Sequence, residues 1–287
     1  MEYLMTYGWA ILIIAVVLGA LFALGFFNSA NLAPKVGPGS CQVYRPQGPG
    51  TTTFINTEGA CSNELPQYVA QFNGAEPATT AASVIEAAYS PSYSFGNGPF
   101  TISAWIRMNS VLYVIPTIFS TRYPAGNGII FGERYGGALF VGYNGVLTYQ
   151  ASSGASVLDG RWHNALVTRN SGGTVTYYID GVSSGSFIAS DNVNGGAMDI
   201  GVDWPNWGQT PFNGMIANVQ VYNASFSAND VQALYQEGIG GAPILLNNLV
   251  GWWPLNGNAN DYSGNLNNGV PINLAYTGAW TPGYTVP

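Results

Sequence analysis

The sequence predicts a long N-terminal hydrophobic α-helix followed by an all-β antiparallel sandwich. No charged side chain occurs from Leu4 to Phe27. From Tyr68 onward, short runs of β-branched and aromatic residues recur between clusters of Gly and Asn. One amphipathic helical pattern interrupts them, too few for a parallel sheet built from βαβ units.

The apolar run comes first. As helix, Leu4 to Phe27 measures about 36 Å, against a hydrocarbon core of about 30 Å. A secretory signal carries basic residues before its apolar run, whereas the one charge here is Glu2, so the sequence reads as a product from which a basic leader has been removed. Ala15, Gly19 and Ala23 recur every four residues as a small-residue seam that lets helix backbones approach closely. With Glu2, Phe22 and Phe26 they make up the expected assembly helix. A generic single-span anchor is the alternative. The expected organisation is a helix over 1–28, a Pro/Gly linker over 29–40, a disulfide-bounded segment over 41–66 and a β domain over 67–287.

The string MEYLMTYGWAILIIAVV resembles the mature N-terminal segment of archaeal type IV pilins and related archaeal surface-filament subunits. The resemblance covers about the first tenth of the chain and includes Glu2, Tyr3, Thr6, Tyr7, Gly8 and Trp9 as well as hydrophobicity. It implies a helix that waits in the membrane and then bundles with copies of itself.

Composition narrows the partners. Charged residues make up 7% of the chain, far below the ~25% usual in soluble domains. A net charge of -7 with scattered basic residues repels phosphate, so nucleic acid is not expected. Cys41 and Cys61 are the only cysteines. In an exported chain they should pair, closing a loop whose constraint contributes roughly 3 kcal/mol, with two separate buried thiols as the alternative. Asn223-Ala224-Ser225 is an N-glycosylation sequon.

The β text reads as strands at 100–108, 137–143, 162–169, 174–180 and 214–223. Asp180-Gly181 marks a hairpin with a primed turn. A helix starts at a capping box of Ser227 and Asp230, buries Val231, Leu234 and Tyr235, and stops at Gly238. A strand with Trp252 and Trp253 follows, then a polar, turn-rich loop.

Four segments, FTISAWI, RWHNALVTRNSGGTVTYYIDG, FNGMIANVQVYNASFSANDVQALYQEG and GWWPLNGNANDYSGNLNNG, resemble the successive strand motifs of laminin G-like domains of the concanavalin A-like jelly-roll class, over about Val69 to Trp280. In many members the last of these motifs opens the domain. Here it closes it, which implies a permuted order with the Trp252 strand in the first-strand place.

Little in the sequence points to catalysis. Glycosidases of this fold need two facing carboxylates, yet no Asp or Glu pair lies two apart on an expected strand. Serine-hydrolase chemistry lacks a G-x-S-x-G turn, and the single His163 is expected to satisfy a backbone group or pack at a sheet edge. No cofactor is expected. Asp261 and Asn265, and also Asp199 and Asp203, supply oxygens for Ca²⁺ but in low density, and an Asx turn at Asp261 is the preferred reading. For sugar binding, Tyr143, Tyr149, Trp204 and Trp207 stand near Gly- and Asn-rich turns, with Trp204 and Trp207 as candidate glycan contacts and packing as the equal alternative. Trp105, Trp162, Trp252 and Trp253 are assigned to packing.

The expected function is that of a non-enzymatic structural subunit of an extracellular type IV pilus-like filament. It would be membrane-inserted before assembly, homopolymeric through its N-terminal helices, and display a β-sandwich for surface attachment. The alternative is a single-span, membrane-anchored carbohydrate-binding lectin or adhesin.

Overall fold

A computed structural model describes residues 2–23, 35–36, 65–75, 82–108, 110, 115–123, 127–134, 136–143, 156–189, 192–203 and 210–287. Helix α1 (Glu2–Ala23) is followed by a short parallel pairing of β1 (Lys35–Val36) with β2 (Leu65–Pro66). The membrane-length helix expected over 1–28 is not found. The described side chains of α1 are Trp9 and residues 11–20, a continuous apolar run of ten where a span takes about 20. Among the described residues no helix is long and apolar enough to cross a membrane.

The rest is an antiparallel sandwich. In chain order the strands are β3 (Val69–Asn73), β4 (Val84–Ala87), β5 (Phe100–Arg107), β6 (Thr117–Tyr123), β7 (Ile129–Arg134) and β8 (Ala138–Tyr143). Then come β9 (Trp162–Arg169), β10 (Thr174–Ile179), β11 (Val182–Ile188), β12 (Ala197–Ile200) and β13 (Asn213–Tyr222). Helix α2 (Ala228–Gln236) precedes β14 (Leu249–Trp253), β15 (Val270–Ile272) and β16 (Ala275–Thr277). One sheet has eight strands in the order β11-β10-β9-β5-β13-β3-β16, with β14 also paired to β13, and the other has six in the order β15-β4-β12-β6-β7-β8.

Alternation along the strands builds the core. On β5, Ile102, Ala104 and Ile106 point between the sheets, where Ile85, Met198, Phe119, Phe131 and Val141 of the six-stranded sheet meet them. The intervening side chains of β5 face outward, and Trp105 packs there against Trp162, Trp280 and Tyr284. A second outer cluster lies under α2, whose Val231 and Leu234 cover Leu166, Tyr178 and Trp252.

The local signals act as expected. Ser227 Oγ accepts the Asp230 N–H, while the Asp230 carboxylate accepts the Ser227 N–H, and Gly238 stands past the last turn at φ +80°. Asp180 and Gly181 both have positive φ, and Ile179 pairs with Val182 across them, as a type I′ hairpin requires.

Strand β13 ties the C-terminal strand β14 into the sheet. Its first half pairs with β3 and its second half with β14, both on the side away from β5, so the Trp252 strand continues the line that β3 begins. A bulge at Asn218 (φ +49°) separates the halves. The Asn218 amide oxygen there accepts from Trp252 Nε1 at 2.7 Å and from Gln220 Nε2 at 2.9 Å, leaving no buried donor orphaned at the crossing.

Candidate functional site

A cleft of about 270 Å³ opens on the outer face of the eight-stranded sheet, lined by Gln71, Phe72, Arg107, Ser110, Asn213, Gly214 and Met215. Register puts it there. Met215 on β13 stands opposite Gln71 of β3 on one side and Arg107 of β5 on the other, so three outward side chains form one row across three strands. Gly214 sits at φ +154°, and a Cβ on it would lie 2.2 Å from the Arg107 carbonyl oxygen. Glycine alone lets the two backbones approach this closely.

Arg107 Nε donates to the Gly160 carbonyl at 2.8 Å, which fixes the plane of the guanidinium. Among the described residues its two terminal nitrogens have no hydrogen-bond or ion-pair partner. Asn213 Nδ2 reaches Ser110 Oγ at 3.4 Å. Two amides, a hydroxyl, a guanidinium and a thioether thus converge, the donor-rich and partly apolar lining that small-molecule sites use.

The cleft adjoins the outer aromatic cluster, against which Met215 packs. Those tryptophans are closed to ligand. Trp162 and Trp280 are buried edge to face, Trp162 Nε1 donates to the Trp280 carbonyl at 2.8 Å, and Trp280 Nε1 donates to the Pro66 carbonyl at 3.0 Å.

A second constellation lies on the six-stranded sheet, on the face turned from the core. Asp199 of β12 stands opposite Glu86 of β4 and Ser120 of β6. Nearby, the Asp203 carboxylate accepts from Ser120 Oγ at 2.6 Å and pairs with Arg122 Nη1 at 2.5 Å. Asp199 is 3% exposed and its Oδ2 has no hydrogen-bond partner. Burial first, then the charges of Glu86 and Asp203, push its pKa up to about 8. Burial also raises Asp203, with Arg122 and Ser120 pulling against it. Glu133 is similarly raised by burial, opposed by the Gly137 and Gly136 backbone, with Oε2 unpartnered.

Glu86 and Asp199 are the facing carboxylates that an intrastrand search overlooks, because the pairing is made across strands. Asp199 Oδ2 is buried, whereas a glycosidase carboxylate must reach the glycosidic oxygen. Among the described residues no group of three or more His, Cys, Asp or Glu could hold a metal ion.

The residues singled out in the sequence distribute as follows. Trp204, Trp207, Tyr149, Cys41, Cys61 and Phe26 lie outside the described residues, as do the side chains of Glu2, Phe22 and Ala23. Ala15 and Gly19 are exposed, with nothing within 4 Å of a Cβ placed on Gly19. Tyr143, expected near a ligand, is instead fully buried, edge-on to Phe100 at 6.0 Å, because it ends a strand on its core-facing side.

Asp261 accepts three backbone N–H groups, from Trp252, Ser263 and Asn267, while Asn265 Nδ2 donates to the Leu249 and Val250 carbonyls. These bonds tie the polar loop to β14. Asn223 is exposed beside Asn248.

His163 differs from the backbone or edge role expected of it. Its Nδ1 faces Asp180 Oδ2 at 2.7 Å and its Nε2 faces Asp159 Oδ1 at 3.0 Å. Burial lowers its pKa, but the two carboxylates outweigh that and raise it above 6.5. Burial opposes the fall at Asp159, where the Arg161 backbone and His163 bring the pKa down overall.

The fold has relatives of known structure. A candidate carbohydrate-binding protein from Bacteroides ovatus superposes with a TM-score of 0.56 at 17% identity, covering 75% of this chain and 60% of its own. The present chain thus spans about three fifths of that protein's length. A heptameric SAP-like pentraxin from Limulus polyphemus gives 0.48 at 14% identity, covering 61% of this chain and 83% of its own. Domain 4 of an extracellular arabinanase from Geobacillus stearothermophilus, in complex with arabinotriose, gives 0.42 at 16% identity, covering 58% and 87%. No curated protein matches the chain. The laminin G-type model described as the concanavalin A-like lectin/glucanases superfamily matches residues 79–232, more than half of the sequence, and with the two-sheet sandwich in place the chain belongs to that superfamily.

Proposed function

We propose that the protein is a non-enzymatic carbohydrate-binding module acting outside the cell, at the cell surface, with the Gln71, Arg107, Asn213 and Met215 cleft as its sugar site. The observation that carries this reading is the cleft itself, where amide, hydroxyl and guanidinium donors converge beside an apolar wall. The Bacteroides ovatus structure, named for carbohydrate binding, supports it through a shared fold. Trp204 and Trp207 precede Asn213 by nine and six residues in the chain and are the aromatic contacts proposed for the sugar. The test is retention of the full chain on an array of neutral and acidic oligosaccharides. The expected outcome is selective retention that weakens about three- to tenfold in Asn213→Ala, the worth of one hydrogen bond of ~1 kcal/mol. Absence of binding across the array overturns the reading.

A second reading rests on a different observation. Trp9, Ile11, Ile13 and Val16 of α1 are exposed apolar side chains, which water disfavours and copies of the same helix would cover. A structural subunit of an archaeal type IV pilus-like filament, polymerised through these helices and displaying the sandwich, would do so. Electron microscopy of sheared surface material tests it, and filaments without this chain, or with α1 outside their core, overturn it.

A further inference from the structure

We infer that the cleft selects acidic saccharides, reading one sugar carboxylate with Arg107. This deepens the carbohydrate reading and rests on it. Every other described arginine is engaged. Arg122 pairs with Asp203, Arg161 lies 3.8 Å from Asp159, Arg169 donates to the Gly96 and Gly98 carbonyls, and Arg134 lies over the Phe140 ring. Arg107 opens into the cleft with its Nε committed to Gly160, and among the described residues both terminal nitrogens are unpartnered. None of the seven lining residues is acidic, in a chain whose net charge is -7.

A guanidinium held in one plane by its Nε bond presents its remaining N–H groups as a fork, and the planar acceptor that matches it is a carboxylate. Gln71, across from Met215 on β3, and Asn213, two residues before it on β13, can donate to and accept from ring hydroxyls, while the Met215 thioether offers an apolar surface to sugar C–H groups. One charge in a cleft of this size suits one carboxylate per site, as in a hexuronic acid. A polysulfated chain would need a stripe of basic residues, and the surrounding net charge opposes it.

The test is calorimetric titration of the full chain with trigalacturonic acid and with its methyl ester, which keeps every hydroxyl and removes the charge. The expected result is that the acid binds about tenfold more tightly than the ester, and that Arg107→Gln brings the two together. Equal affinity for acid and ester in the native protein, or a preference that survives Arg107→Gln, overturns the inference. Should Arg107→Gln fail to fold, Gln71→Glu places a carboxylate at an exposed position in the same row and is expected to abolish the preference for acid, and a preference that persists is equally fatal. If neither probe binds, the inference fails. The carbohydrate reading falls with it only when the neutral array is silent too.

Discussion

Asp199 keeps a carboxyl group where water does not reach it, and this makes the stability of the domain depend on pH. Its folded pKa of about 8 lies far above the ordinary 3.8, so the stabilisation from its protonated form is complete below the ordinary value and is lost as pH rises toward 8. Glu133, Asp203 and Asp261 are shifted upward by burial and act in the same direction. The raised His163 also stabilises on its acid side and loses that contribution as pH climbs through its folded value. Asp159, lowered below 3.8, loses its contribution only in stronger acid. Calorimetry should therefore find a higher Tm at pH 5 than at pH 8, and Asp199→Asn should raise the Tm at pH 8 while flattening the slope. None of this could be read from the sequence. The partners of Asp199 come from β4 and β6, and cross-strand register carries no local signal. By contrast, Ser227 and Asp230 were legible because a capping box is contained within four residues.

Among the strands, those whose signals are local are legible in the sequence, and those that depend on neighbours are not. The runs that became β5, β9, β10 and β13 are long and rich in β-branched and aromatic residues. Strand β11 (VSSGSFI) is polar and lies at a sheet edge, β12 (AMDI) is four residues, and β15 (VPI) contains Pro271, so composition conceals all three. The hairpin between β10 and β11 is therefore fixed mainly by its turn. Gly181 occupies φ +76°, and its carbonyl accepts from Gln232 Nε2 of α2 at 3.0 Å. Gly181→Ala would force a Cβ into left-handed backbone and to 2.5 Å from that same Gln232 nitrogen. Urea denaturation should show a loss of about 1–2 kcal/mol, and a neutral result would mean that the turn does not hold the register.

At the scale of the molecule, the sandwich was legible because many strand-like runs without intervening helices leave few alternatives. The cleft was not, since its walls come from positions 71, 107, 110 and 213–215, which only the folded order of β3, β13 and β5 brings together. The same order makes the C-terminal segment a structural cover. Trp280 fills the outer aromatic cluster between Trp162 and Tyr284, and Trp280→Ala should cost about 3–5 kcal/mol and increase binding of a hydrophobic dye, both measurable by thermal melting and fluorescence. The bond from Trp280 Nε1 to the Pro66 carbonyl has a further, mechanical meaning. Tension that reaches Leu65 along the chain meets a tryptophan clamp at Pro66. Behind the clamp lies β3, laddered to β13 on one side and β16 on the other, so traction must shear two rows of hydrogen bonds before it disturbs the cleft that Gln71 helps to line.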